Sequence, residues 1–179
     1  MLSKKIEKLL QEQIEVESNS SYAYLAMASW CEVNGLEGSA AFFYHQSDEE
    51  RVHMLKLFKY LNEKGGYALV PVNKKPKADF KNIIDLIKYF HDSEKAVSAS
   101  VNKLVYVANQ EQDYTTLNFL QWYVTEQHEE ETLARTLQDK IKLIGLTGNG
   151  LYLIDNEIGR HATKKQATAI SIGGADKGA

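Results

Sequence analysis

The sequence predicts an all-α protein: a four-helix bundle with one long crossover connection and a short fifth C-terminal helix. Apolar residues recur at helical spacing in four long segments. The chain has 179 residues, of which 44% are hydrophobic, so it is about one domain long and can bury a sizeable core. Its two prolines, Pro71 and Pro76, lie together in a stretch without helical period, which therefore connects two helices.

The first helix is predicted to begin after Ser3, a suitable N-cap, and to end near Asn34 and Gly35. An acidic residue, Glu17, lies in the middle of the face that should be buried. The predicted inward line comprises Ile6, Leu10, Gln13, Glu17, Ser21, Tyr24, Ala28 and Cys31.

The second helix is predicted from Ser39 to Lys64, antiparallel to the first because the connection between them is short. Its inward line comprises Phe43, Gln46, Glu50, His53, Met54, Leu57 and Leu61. Glu50 and His53 interrupt this apolar line at a spacing of i, i+3, which places both side chains on one face. Glu-x-x-His on a helix of a bundle is a metal-ligand arrangement.

The segment 67–81 is the predicted crossover. About 15 extended residues reach about 50 Å, enough to begin the third helix at the same end as the second. The third helix is predicted from about Asn82 to Gln112, and Glu94 interrupts its apolar line. That line comprises Ile83, Ile87, Phe90, Glu94, Val97, Val101, Leu104 and Ala108.

A single fourth helix is predicted after the N-cap Asp113, ending at about Ile144, with Glu130 interrupting its apolar line. That line comprises Leu120, Tyr123, Gln127, Glu130, Leu133, Leu137 and Ile141. A short fifth helix, 149–162, is too small to fold alone, so we expect it to pack against other subunits. These elements predict one domain over 1–162, and 163–179 is expected to be a flexible tail.

Four carboxylates, one from each long helix, are predicted to share one level of the bundle: Glu17, Glu50, Glu94 and Glu130. Unpaired charges in a protein core cost several kcal/mol each, so these groups need countercharge. Two divalent cations would neutralise them, and His53 would add a nitrogen ligand. Carboxylates with one imidazole favour iron or manganese over structural zinc, and we therefore expect a dinuclear metal site, with iron the first choice.

Composition excludes several other classes of function. The net charge is −3, with acidic and basic residues interspersed, so nothing favours nucleic-acid binding or a membrane surface. No run of about 18 apolar residues occurs. The single cysteine, Cys31, excludes an internal disulfide framework or a Cys-x-x-Cys metal site and fits a reducing compartment. We expect a cytoplasmic protein.

The segment 118–131 carries the most specific family signal, reading Asn-Phe-Leu-Gln-Trp-Tyr-Val-Thr-Glu-Gln-His-Glu-Glu-Glu. With it, the chain resembles bacterial non-haem ferritins, whose fold is the ferritin-like bundle, from the first helix to about residue 160. The resemblance implies that Glu17, Glu50 and His53 form a first iron site. It also implies that Glu94 and Glu130, bridged through Glu50, form a second.

The resemblance extends to residues around these two sites. Glu49, Glu126 and Glu129, together with Glu130, match a third iron site toward the inner surface. Two further residues match positions beside the iron pair: Gln127, just outside the ligands, and Tyr24. The implied function is a ferroxidase that oxidises Fe(II) with dioxygen or hydrogen peroxide and stores ferric mineral inside a 24-subunit cage.

Two departures from the bacterioferritins predict that this chain binds no haem. Arg51 occupies the position of their haem-ligating methionine, and the fourth helix has Gln127-x-x-Glu130 where they have Glu-x-x-His.

Three alternative classes share some of these features. A rubrerythrin-like diiron oxygenase or peroxide reductase would need a four-cysteine iron domain, which one cysteine cannot build. A DNA-protecting miniferritin would need a basic tail and iron ligands at a subunit interface. A metal-free helical adaptor would leave the glutamates solvated or individually paired. Carboxylates meeting around His53 favour the ferritin interpretation, and carboxylates splayed toward solvent favour the adaptor.

Overall fold

A computed structural model of the chain describes residues 2–173, with side chains described over 2–162. The elements are α1 (Lys4–Val33), α2 (Glu37–Glu63), α3 (Ile83–Gln110), α4 (Tyr114–Phe119), α5 (Gln121–Ile144) and α6 (Gly150–Gly173). Over residues 2–173 there is no strand, and no helix is long and apolar enough to cross a membrane. The predicted all-α bundle with an additional C-terminal helix is confirmed.

Side-chain caps fix where three of these helices begin. The Ser3 hydroxyl accepts a hydrogen bond from the Ile6 N–H at 3.1 Å. The side chain of Asn82 accepts from the Asp85 N–H in the same way. Asp113 caps the start of α4. Each cap satisfies a backbone donor that the first turn of a helix leaves without a partner.

The crossover runs alongside α1, as the predicted topology requires. Near its start, Leu69 and the Gln11 side chain exchange two hydrogen bonds, both 2.8 Å long. Near its end, the Phe80 ring lies edge-on to Trp30, with centroids 5.8 Å apart. The segment therefore travels from the N-terminal part of α1 to its C-terminal part, so that α3 begins at the end of the bundle where α2 begins.

The fourth long helix differs from the prediction because it is broken at Leu120 into α4 and α5. The Gln121 side chain donates a hydrogen bond to the Leu117 carbonyl, at 3.0 Å. In a continuous helix that carbonyl would accept from the backbone N–H of Gln121 itself. A side chain inserted into the backbone ladder is a common cause of such a break.

Two hydrophobic clusters fill the bundle, with a polar layer between them. One cluster includes Tyr24, Phe43, Phe90 and Leu137. The other includes Leu10, Leu57, Leu104 and Tyr123. Along every long helix, the predicted carboxylate lies between the residues of the two clusters. The predicted inward lines are otherwise buried as expected, except that Met54 and Leu133 are half-buried.

The C-terminal helix α6 packs against α2 and α5 and buries Ile154, Ile158 and Ala162. It continues to Gly173, beyond the predicted end at Ala162 and into the segment expected to be a tail. Residues 174–179 lie outside the described residues, and the flexibility of the tail stays a prediction.

Candidate metal centre

The four long helical segments each contribute one carboxylate to the polar layer. Glu17 and Glu94 are 0% exposed, and Glu50 and Glu130 are 2% exposed. The prediction that these side chains point into the bundle is therefore confirmed. Because they come from facing helices at one level, the layer brings four acidic groups together where water cannot solvate their charged forms.

Glu17, Glu50 and His53 bring one ligand atom each to within 4.8 Å of one another. The Nδ1 atom of His53 lies 3.4 Å from Glu50 Oε2 and 3.7 Å from Glu17 Oε2. Over residues 2–162, no other set of three His, Cys, Asp or Glu side chains comes this close. The predicted Glu-x-x-His pair thus meets a carboxylate from the neighbouring antiparallel helix.

The three facing atoms, Glu17 Oε2, Glu50 Oε2 and His53 Nδ1, are buried without a hydrogen-bond partner. Buried polar atoms in native proteins are almost always satisfied, so such a group calls for an explanation. A cation among them would coordinate all three atoms at once. Two carboxylate oxygens and an imidazole nitrogen are a donor set that suits iron or manganese.

Glu94 and Glu130 lie outside this three-residue group, and each is held by hydrogen bonds. The Tyr24 hydroxyl donates to Glu94 Oε1. Gln127 Nε2 donates to Glu94 Oε2 at 3.1 Å. Gln46 Nε2 donates to Glu130 Oε2 at 2.7 Å. These donors orient the two carboxylates.

Burial and the charges of neighbouring carboxylates raise the pKa values of two groups in the layer, Glu94 and Glu50. Burial, with the charge of Glu130, raises the pKa of Glu94 to about 8. Burial and the charge of Glu17 raise the pKa of Glu50 well above its ordinary value. The metal-free layer therefore retains protons near neutral pH, which is how a protein limits unpaired buried charge.

The pKa of His53 moves in the direction that favours its charged form. Burial opposes the imidazolium, but the nearby carboxylates of Glu17 and Glu50 outweigh it and raise the pKa of His53 to about 10. An imidazolium thus partly replaces the missing countercharge in the metal-free protein. A metal ion would have to displace that proton, because only the neutral ring can coordinate.

Sequence reasoning placed Gln13, Gln46 and Tyr123 on inward lines but gave them no part in the site. Gln13 Nε2 contacts both Glu17 Oε1, at 2.8 Å, and the Tyr123 hydroxyl oxygen, at 3.1 Å. The sequence carries a signal for Gln13, which stands one helical turn before its partner Glu17. It carries none for Gln46, because that side chain reaches Glu130 on another helix.

The residues matched to a third iron site are less buried than the others. Glu49 and Glu126 are half-buried, and Glu129 is exposed. Glu49 Oε2 lies 3.1 Å from Nδ1 of His45 on the same helix. Within the described side chains, these glutamates do not form a set of three ligand atoms within 4.8 Å. A third site stays a prediction.

The chain matches the family model described as "Ferritin-like domain" over residues 7–144. A bacterial non-heme ferritin of Campylobacter jejuni is 47% identical over 158 residues, covering 88% of this chain and 95% of the relative. A probable bacterial non-heme ferritin-like protein of Haemophilus influenzae is 43% identical over 164 residues, covering 92% of this chain and 99% of the relative.

Solved structures agree with these sequence relatives. The open pore ferritin of Archaeoglobus fulgidus superposes with a TM-score of 0.86 at 34% identity, covering 89% of this chain and 98% of that one. A ferritin of Chlorobium tepidum gives a TM-score of 0.80 at 41% identity, covering 88% and 97%. The buried carboxylate layer, the bundle topology and these matches together show that the chain belongs to the ferritin family.

Proposed function

We propose that this protein is an iron-storage ferritin with ferroxidase activity at a diiron site inside each subunit. The observation that supports it most strongly is the set of three facing, unsatisfied ligand atoms on Glu17, Glu50 and His53. A structural role alone would favour satisfied or apolar groups at this level of the core.

Two ferrous ions would be the substrate, one held by Glu17, Glu50 and His53 and the other by Glu94 and Glu130, with Glu50 shared. Both iron positions offer mainly carboxylate oxygens, which are hard donors that stabilise Fe(III) relative to Fe(II). Each iron gives up one electron. Dioxygen takes up both electrons with two protons to form hydrogen peroxide, or hydrogen peroxide takes them up with two protons to form water.

Tyr24 and Gln127 would control the second half of the site. Both donate hydrogen bonds to the Glu94 carboxylate. These bonds orient it and partly offset the effect of burial on its pKa. We assign Glu49, Glu126 and Glu129, with Glu130, to a third iron position, supported by the family resemblance and by their lying on the helices that carry Glu50 and Glu130.

Storage as a mineral requires a closed shell, and we propose that 24 copies of the chain assemble into one. The start of α6 supports association, since Leu151 is 41% exposed, Tyr152 70% and Leu153 52%. Three adjacent exposed apolar residues are unfavourable in water unless another surface covers them.

The proposal also includes a cytoplasmic location and the absence of haem. Reconstituted protein with a stoichiometric Soret band would contradict the absence of haem.

The test is aerobic addition of Fe(II) to the metal-free protein. We expect fast growth of ferric absorbance followed by a soluble, electron-dense core of cage size. Glu50→Ala and His53→Ala should each slow the initial oxidation by at least about 100-fold, since metal sites depend on every ligand.

Glu12→Ala is the matched control. Glu12 is on α1 but exposed, where it pairs with Lys8 at 3.7 Å, so its loss should leave oxidation unchanged. Equal oxidation rates in the wild type, Glu50→Ala and Glu12→Ala would show that iron is not oxidised at the buried layer.

A further inference from the structure

The N-terminus of α2 is capped by a residue far away in the sequence. The Asp155 carboxylate, on α6, accepts hydrogen bonds from the Gly38 N–H at 3.0 Å and the Ser39 N–H at 2.7 Å. It also accepts from the Ser39 hydroxyl at 2.7 Å. One side chain thus takes three donors from the first turn of another helix.

The start of α2 has no local substitute for these bonds. Its N-cap position is Leu36, which offers no side-chain hydrogen bond. The first N–H groups of a helix need acceptors, and a negative charge at this end is favourable. Because Ser39 is fully buried, water cannot replace the carboxylate there.

Two glycines bring the helices close enough for this capping. A Cβ on Gly159 would lie 2.8 Å from the Gly38 Cα, closer than real Cβ atoms approach. A Cβ on Gly38 would collide with the Asp155 carbonyl. Only glycine at both positions allows this backbone contact, so the sequence is adapted to one docked position of α6.

We propose that Asp155 is a positioning residue for assembly, capping α2 from α6 and thereby fixing the angle at which α6 presents its exposed apolar side chains to a second copy of the chain. This inference rests on the proposed self-assembly. The buried side chains of Ile154 and Ile158 hold α6 to the bundle, but nonpolar contact is not directional. The three hydrogen bonds and the glycine contact supply the direction.

Hydrogen–deuterium exchange on the full-length protein tests the positioning role. In Asp155→Ala, we expect the amides of Gly38 and Ser39 and those of the first half of α6 to exchange at least about fivefold faster. Amides in the middle of α1 and α3 should keep their wild-type rates. Asp155→Asn retains one acceptor oxygen, so its exchange rates at Gly38, Ser39 and α6 should lie between those of the wild type and Asp155→Ala.

Asn156→Ala is the matched control. Asn156 lies on the same helix next to Asp155, but it is exposed and its side chain donates a hydrogen bond to the Tyr152 carbonyl within α6 itself, at 3.0 Å. Its exchange pattern should match the wild type. Unchanged exchange at Gly38, Ser39 and α6 in Asp155→Ala would overturn the proposal.

Assembly is measured in parallel by native mass spectrometry, to separate this inference from the function on which it rests. A monomeric wild type would contradict the proposed cage. If the wild type assembles and Asp155→Ala forms an equally stable assembly, the proposed cage stands but the positioning role of Asp155 is overturned. If Asp155→Ala does not fold, Ser39→Ala and Gly159→Ala should both weaken assembly, and wild-type assembly in both would overturn the proposal.

Discussion

In the proposed site, the carboxyl group of Glu94 would couple proton binding to metal binding. It is fully buried, accepts hydrogen bonds from Tyr24 and Gln127, and has a pKa raised to about 8 by burial and by the charge of Glu130. At neutral pH the metal-free protein therefore keeps this group protonated. A cation beside it would reverse that preference by favouring the ionised form.

The metal-free protein should lose stability as the pH rises. Glu94 contributes to this loss between pH 4.5, the ordinary pKa of its carboxyl group, and pH of about 8, its raised pKa in the folded protein. In that interval the folded state binds more protons at this site than the unfolded state, so the free energy of unfolding falls with pH. His53 lowers the stability in the same direction, but only between pH 6.5, its ordinary pKa, and pH of about 10, its raised pKa. Denaturation in chelator at pH 5 to 6.5 should therefore show a slope that Glu94→Gln reduces. An identical slope in this variant would refute the assignment.

Metal binding should release protons. At pH 7 we expect about two per subunit to leave, one from Glu94 and one held between Glu50 and His53. Apparent affinity should therefore increase with pH. Calorimetric titration of anaerobic Fe(II) in buffers with different ionisation enthalpies measures the proton count, and His53→Ala should lower it. Binding with no buffer dependence would mean that the ligands are already deprotonated.

At the scale of single helices, capping and hydrophobic spacing predicted most of the structure. Ser3 and Asp113 cap the helices that the sequence assigned to them, and Asn82, the approximate predicted start of the third helix, caps α3. The break at Leu120 was not predictable in this way, because it depends on whether the Gln121 side chain or backbone reaches the Leu117 carbonyl. Helical spacing is the same in either case.

The start of α4 offers a direct test of capping. Asp113 accepts from the Thr116 N–H at 3.1 Å and from its hydroxyl at 2.6 Å, and it also lies 3.6 Å from Lys64. Asp113→Ala should lower the free energy of unfolding by about 1 to 2 kcal/mol. Asp139→Ala, at an exposed ion pair with Lys142, should change it by less than about 0.5 kcal/mol. Equal losses in chemical denaturation would contradict the capping role.

At the scale of the whole molecule, the polar layer could be predicted because polar residues interrupt all four apolar lines at matching depth. The pairing of carboxylates within the layer could not be predicted. Which carboxylates share a cation depends on rotamers and on amide donors such as Gln46, and spacing along one helix does not determine contacts across the bundle. The position of α6 likewise depends on contacts between distant residues, Asp155 with Gly38 and Ser39.

The two hydrophobic clusters on either side of the layer hold the bundle together without help from the carboxylates. They contribute buried aromatic and aliphatic side chains from every long helix. Such a core can tolerate a layer that is unfavourable when metal-free, and ligand binding then stabilises the whole fold by mass action. The rest of the molecule can therefore support the binding site that we propose at this layer.

The most direct test of the carboxylate layer as a metal site is anomalous diffraction at the iron edge from crystals soaked anaerobically in Fe(II). We predict two iron peaks inside each subunit, one among Glu17, Glu50 and His53 and one beside Glu94 and Glu130. Iron bound only at surface carboxylates, with the buried layer empty, would contradict the account.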